Sequence, residues 1–345
     1  MRRWTMLSLA LLVLACAKKG MPPNPDRFPP SLLDFTVVNQ NRLDLTFDEP
    51  MAQKDLPGGL AHLSDYSITG LGGDTLPVLG VAFSPDQTVI SLLTRRQQRE
   101  KYVLKGITRD VAGNTVRFAR QFQGSTRPDT IAPAIISVSP RMHATNLHRD
   151  VAVTFIFSKP IDTLTFGGFL VLPSSLSGRF SPRWNPGLNG IQFMLADSLG
   201  RGTVVSFLVP PVFRDFAGNH PAQAGYTSFS SDSLVLPGLV KGRLEVEGGP
   251  ARNAFILLEQ DEPLLATIGR EDGSFVLRAK KEPYAVVALA DTDYDGYVEL
   301  SGFRARAELP ETLVVRLEAE TSRVKVASFF GTAKAAKNAK EGEKR

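Results

Sequence analysis

The sequence predicts an all-β protein built from tandem β-sandwich domains. Three observations carry that expectation. Apolar residues alternate with polar ones over short runs, the period of half-buried strands. Many of the 29 Gly and 24 Pro fall between those runs, where turns belong. Finally, Arg-Asp-Val-Ala-Gly-Asn at Arg109–Asn114 returns as Arg-Asp-Phe-Ala-Gly-Asn at Arg214–Asn219, 105 residues later. A period of about 100 residues suits one β-sandwich domain, so one domain type occurs at least twice in series.

The amino end precedes the domains. Arg2 and Arg3 lead into an apolar run from Met6 to Ala15. Residues 1–15 therefore read as a secretory signal; the run falls short of the ~20 apolar residues that cross a bilayer. It ends in Val13-Leu14-Ala15-Cys16, and Cys16 is the single cysteine of the chain. This stretch resembles the lipobox of bacterial lipoproteins, with an aliphatic residue three before the cysteine and a small one just before it. Leu14 is bulkier than the usual occupant of its position. The resemblance implies cleavage before Cys16 and lipid, palmitate included, on its sulfur and new amino group. With Ala17 rather than Asp next, it implies the outer membrane. The other reading is an ordinary cleaved signal with a coincidental cysteine. Two or more acyl chains hold a protein firmly on a membrane. Residues 16–29, rich in proline, read as an extended spacer. No cysteine remains to form an intramolecular disulfide, so apolar cores alone must hold the domains.

The first repeat spans residues 30–127. Leu43, Leu45 and Phe47 alternate with Asp44 and Thr46, and Asp48-Glu49-Pro50 ends the strand. Val78–Phe83, Thr88–Leu93 and Lys101–Ile107 follow, with Ser84-Pro85-Asp86 as a turn between the first two. Thr115–Phe122 closes the repeat. Met51–Asp65 is its least strand-like part and the place for a short helical turn.

The second repeat spans residues 128–236 and opens on a proline joint, Pro128–Pro133. Ile135–Val138 begins a strand that Ser139-Pro140 ends. Val151, Val153, Phe155 and Phe157 alternate, and Ser158-Lys159-Pro160 stops them where Asp48-Glu49-Pro50 stopped their counterpart. Phe169–Leu172, Gly190–Leu195, Thr203–Val209 and Tyr226–Phe229 continue the series. This order of joint, Ser-Pro turn, Phe-Ser-Lys-Pro and Asp-x-Ala-Gly-Asn resembles the SbsA-type bacterial Ig-like domain of cell-surface proteins. The match covers nearly all of the second repeat. The first repeat lacks the Ser-Pro turn and is a divergent copy. In the shared motif, Gly113-Asn114 and Gly218-Asn219 tolerate the positive φ of a tight turn, while Asp110 and Asp215 can accept backbone N–H groups across it. That is a structural reading. The alternative makes the two aspartates metal ligands or catalytic acids.

The period breaks in a third domain, residues 237–319. Val240–Val246, Ala254–Leu258, Phe275–Arg278, Tyr284–Leu289 and Thr312–Leu317 read as strands, and Asp272-Gly273 is a hairpin turn. The pattern Gly242-Arg243, Ala254 to Leu258, Asp272 to Phe275 and Tyr284 to Ala288 resembles the prealbumin-like or carboxypeptidase-regulatory-like β-sandwich. Between two strands lies Asp291-Thr292-Asp293-Tyr294-Asp295-Gly296-Tyr297. Carboxylates at positions one, three and five with Gly at six match the first half of an EF-hand calcium loop. The second half does not match: Glu299 stands at nine and Gly302 replaces the Glu of position twelve. Two readings stand, an acidic surface turn or a weak Ca²⁺ site made by Asp291, Asp293 and Asp295.

Residues 320–345 read as a basic, disordered tail. Arg2 and Arg3 contribute +2 of the formal charge of +5, and residues 333–345 contribute +3, which leaves the middle neutral. The basic pI thus belongs to the ends, and no nucleic-acid partner is expected. None of His62, His143, His148 and His220 forms a zinc motif, and no nucleophile elbow or dinucleotide loop is present, so no catalytic residues and no enzyme activity are expected. Trp184 reads as core or as a sugar-stacking face. The expected role is that of a lipid-anchored envelope protein with structural, adhesive or interaction function, partnered by the membrane and by other envelope proteins or glycans. The alternative is a Ca²⁺- or carbohydrate-binding module acting through the third domain.

Overall fold

The computed structural model describes residues 26–53, 63–233, 238–247, 251, 253–261, 263–280, 282–308 and 312–330. The segment expected to be a signal, with Cys16, the expected spacer as far as residue 25, His62 and the stretch from residue 331 lie outside the described residues. Among the described residues, regular structure consists of strands and short 3-10 turns, as an all-β chain requires.

The first unit contains β1 (Leu32–Asn39), β2 (Arg42–Phe47), β3 (Tyr66–Gly70), β4 (Val78–Phe83), β5 (Val89–Thr94), β6 (Lys101–Arg109) and β7 (Thr115–Gln123). One sheet has the order β1-β2-β5-β4 and the other β3-β6-β7, all antiparallel. The second unit contains β8 (Ile135–Ser139), β9 (Val153–Phe157), β10 (Leu170–Leu172), β11 (Phe180–Trp184), β12 (Gly190–Leu195), β13 (Val204–Val209) and β14 (Gly225–Ser230). Its sheets run β11-β12-β9-β8 and β10-β13-β14. Counted from the first strand of each unit, the two arrangements are the same. They follow the seven-stranded immunoglobulin order, in which strands one, two, five and four face strands three, six and seven.

Alternation explains which side chains fill the sandwiches. Leu43, Leu45 and Phe47 of β2 point into a core with Ile68, Ile90 and Leu104. Val153, Phe155 and Phe157 of β9 do the same in the second unit, whose core is aromatic. There Phe193 and Phe207 have ring centroids 4.7 Å apart, and Phe169 stacks on Phe207 at 5.1 Å. Such pairs add to the burial energy of the rings themselves. Trp184 belongs to this core's end, stacked on Phe157 at 6.1 Å and edge-on to Phe166 at 5.5 Å.

The third unit contains β15 (Gly238–Val246), β16 (Ala254–Glu259), β17 (Pro263–Ile268), β18 (Ser274–Ala279), β19 (Pro283–Ala290), β20 (Leu300–Glu308) and β21 (Thr312–Ala319). They form one sheet ordered β17-β16-β19-β20-β21-β15-β18, with β15 and β21 parallel. The sheet curls until its edges meet, and Thr267 Oγ1 donates to Val276 O at 3.0 Å. Inside lie Ile256, Leu258, Phe275, Val286, Leu313 and Val315.

Two strands of this sheet are buried on both faces. Ile256 and Leu258 of β16 face the unit's own core, while Phe255 and Leu257 face the second unit. In β19, Val286 and Ala288 face inward while Val287 and Leu289 face outward. Across the boundary, the β10-β13-β14 sheet presents Leu170, Leu172, Leu208 and Tyr226. The two units are therefore welded by a sheet-on-sheet apolar layer rather than strung in series. Tyr226 donates its hydroxyl to Ala266 O at 2.7 Å within that layer, and Ser206 Oγ accepts from Ala266 N at 3.1 Å.

Two boundaries differ from the sequence expectation. Residues 320–330 do not behave as part of a basic tail. They return to the welded layer, where Val326 begins a 3-10 turn and Val326, Phe329 and Phe330 are buried. These apolar residues outweigh the charges around them. At the other end, the expected spacer includes residues 26–29, but Asp26–Pro30 has the geometry of the joint Asp129–Pro133. Asn114 Nδ2 reaches Asp26 O at 3.3 Å, as Asn219 Nδ2 reaches Asp129 O at 3.1 Å.

Candidate functional site

The repeated motif sits between the sixth and seventh strands of each Ig-like unit. In the first, Asp110 is fully buried; its Oδ1 accepts from Asn114 N and its Oδ2 from Asn114 Nδ2, both at 2.8 Å. In the second, Asp215 Oδ1 accepts from Ala217 N and Asn219 N, both at 2.9 Å, and Oδ2 accepts from Asn219 Nδ2 at 2.9 Å. Gly113 and Gly218 carry the left-handed turn, at φ 97° and 93°. Each aspartate thus bonds the backbone of its own turn, the part a structural residue plays.

The two motifs differ in their charge balance. In the second unit the Lys159 ammonium stands 2.7 Å from both Asp215 Oδ2 and Asp129 Oδ2, and 2.8 Å from Ile131 O. The residue aligned with it in the first unit is Glu49. Asp26, Glu49 and Asp110 accordingly bring carboxylate oxygens within 4.8 Å of one another. Burial, then the neighbouring Asp110 and Asp26, raises the Glu49 carboxyl above its ordinary range. The matching sequence signal is the change from Phe-Ser-Lys-Pro to Phe-Asp-Glu-Pro.

The acidic loop of the third unit follows β19 and precedes β20. Asp291, Asp293, Asp295 and Glu299 converge, with one oxygen of each within 4.8 Å of the others. Local bonds shape the loop: Gly296 N donates to Asp291 Oδ2 at 3.0 Å, Asp295 N to Asp293 Oδ1 at 3.1 Å and Tyr297 N to Asp295 Oδ1 at 2.8 Å. Thr292 N donates to Glu299 Oε2 at 2.6 Å. Gly296 makes the sharp bend at φ 89°. Asp291 is fully buried, yet its Oδ1 accepts no hydrogen bond from any described residue. Burial, reinforced by Glu299 and Asp295, pushes its carboxyl up to about 6. A buried carboxylate oxygen without a donor is costly and calls for a cation or proton. Sequence spacing brought out the first three carboxylates and placed Glu299 at position nine. Arg323, whose Nη2 lies 3.4 Å from Asp295 Oδ2, carried no signal.

Residues 129–231 match the family model described as a bacterial Ig-like domain. They cover the second unit, and the first unit shares its strand order. No curated protein matches the sequence. Among solved structures, the N-terminal part of the bacterial S-layer protein SbsC aligns at 13% identity and TM-score 0.25, covering 59% of this chain and 44% of that one. Domains 1–6 of SbsC align at 8% identity and TM-score 0.26, covering 84% and 54%. Domains MG0-NIE-MG1 of native alpha-2-macroglobulin from Escherichia coli align at 12% identity and TM-score 0.23, covering 84% of this chain and 96% of that three-domain chain. Scores this low do not establish a common overall arrangement. The chain spans about half the length, or less, of the SbsC structures it matches.

Proposed function

We propose that this protein is a lipid-anchored component of a bacterial cell envelope whose Ig-like units position the third unit away from the membrane. Cys16 carries the lipid, the proline-rich spacer gives clearance, and the role is structural or one of interaction with other envelope components. The observation that carries this reading is Val13-Leu14-Ala15-Cys16 at the end of a short apolar run. Packed junctions fit a spacer that must hold its shape. Phe83 N donates to Pro186 O at 3.0 Å between the first two units, and the apolar layer joins the second to the third. The test is mass spectrometry of the N-terminal peptide from the membrane-extracted protein. It should begin at Cys16 with diacylglycerol on the sulfur, and Cys16→Ser should release the protein from membranes. An unmodified, soluble mature chain overturns the reading.

A second reading is favoured by one observation, the unpaired and buried Asp291 Oδ1 among three further carboxylates. On it, the third unit binds a hard divalent cation. Chelator-treated protein should then show a heat of binding for Ca²⁺, with a dissociation constant on the order of 10⁻⁴–10⁻³ M because the loop lacks the bidentate Glu.

A further inference from the structure

The acidic loop lies at the boundary with the second unit as well as at an end of the third. Tyr294, the loop's fourth residue, stacks on His220 with ring centroids 5.7 Å apart, and its hydroxyl reaches Ala222 O at 3.4 Å. His220 immediately follows Asn219 of the repeated motif, and Ala222 stands just before β14. Val212 flanks the loop from the same side: a Cβ built on Gly296 would lie 3.6 Å from Val212 Cγ1. On its other side the loop holds the returning segment, with Val298 N donating to Val324 O at 2.9 Å and Val326 N to Gly296 O at 3.0 Å. Arg323 lies over the Tyr297 ring at 4.2 Å. That segment then buries Val326, Phe329 and Phe330 in the welded layer.

From this placement we infer that a Ca²⁺-class cation bound by Asp291, Asp293, Asp295 and Glu299 locks the second and third units together. The inference rests on the cation reading given above. The donor set selects the ion: carboxylate oxygens are hard ligands, and opposite ligands of Ca²⁺ stand about 4.8 Å apart, twice a bond of about 2.4 Å. The Asp291 Oδ1 without a donor supplies the buried acceptor that a first ligand requires. Tyr294 is the coupling element. It holds φ 65°, a left-handed conformation that a bulky residue keeps only when its surroundings impose it. Here the surroundings are the carboxylates on both sides of it and His220 across the boundary. An ion that gathers Asp293 and Asp295 fixes Tyr294 between them, and so fixes its contacts with His220 and Ala222. Without the ion, like charges push the loop apart and the contacts across the boundary loosen.

The experiment uses the full chain extracted in detergent, with and without millimolar Ca²⁺ after chelator treatment. Titration calorimetry reads binding, and hydrogen exchange reads the boundary. Ca²⁺ should slow exchange in residues 219–226 and 324–330 by about fivefold or more, since these open locally when the loop does. Asp291→Asn should abolish both the heat and the slowing; Asp293→Asn, at an exposed position, does the same where the first variant fails to fold. Tyr294→Ala should keep the heat but lose the slowing at 219–226. Absence of any heat at millimolar Ca²⁺ overturns the cation reading and the lock with it. Heat without slowing at 219–226 leaves the site standing and overturns the lock.

Discussion

Position 49 carries a carboxylate where the second unit carries the Lys159 ammonium, so equivalent charge changes should act oppositely in the two units. Lys159→Met leaves Asp215, whose side chain is 1% exposed, without its counter-ion. The expected cost is about 3 kcal/mol for a buried pair broken on one side, read by denaturant unfolding. Glu49→Lys places an ammonium between Asp26 and Asp110 and should raise the first unit's stability by about 0.5–1 kcal/mol, the range of a partly screened pair. Asp291 gives a pH dependence in the metal-free chain. Its folded pKa of about 6 stands above the unfolded one, so below that value the folded chain binds a proton that the unfolded chain lacks. Stability should therefore rise as pH falls from 7 to 5, by roughly 1 kcal/mol from this group. Denaturation in chelator across that range checks the sign, and a fall in stability would contradict it.

Among the elements, the sixth-to-seventh strand turn shows how one substitution adapts a repeated device. The motifs differ at Val111 and Phe216. Val111 is 67% exposed, whereas Phe216 packs with Ala82, Leu93 and Leu188 at the boundary of the first two units. Gly80 makes room for it: a Cβ there would meet Phe216 Cζ at 2.6 Å. Phe216→Ala should cost about 1–2 kcal/mol, less than a full core truncation because the ring is half-buried. Val111→Ala should be silent, and thermal unfolding of the two variants makes the comparison. Strand legibility followed side-chain pattern. β2, β9 and β21 bury alternate residues and could be read directly. β20 could not, because Leu300–Glu308 is mostly charged or small and its pairing with β19 is made by backbone. β11 carries Pro182 and sits at a sheet edge, where proline is tolerated.

For the whole molecule, the decisive feature is the apolar layer between the second and third units. Ala254–Leu258 and Val286–Ala290 are continuous apolar runs rather than alternating ones, which is the mark of strands covered on both faces. The second and third units should therefore unfold in one calorimetric transition. Leu257→Asp, which puts a charge into the layer, should split that transition in two; a single transition in the variant would count against the weld. Tyr226→Phe removes the buried hydroxyl that donates to Ala266 O and should cost about 1 kcal/mol.

The sequence alone determined the all-β class, the repeat, the turn chemistry of Asp110 and Asp215, and the spacing of Asp291, Asp293 and Asp295. These are local matters, set by period two, by glycine's freedom at positive φ and by neighbours a few residues apart. Tertiary structure decided that Lys159 neutralises Asp129 and Asp215, that Phe330 packs beside Phe255, and that Tyr294 meets His220. Those partners are 30 to 75 residues apart in the chain. Periodicity tells which face of a strand is apolar, but only the packed chain fixes what covers it.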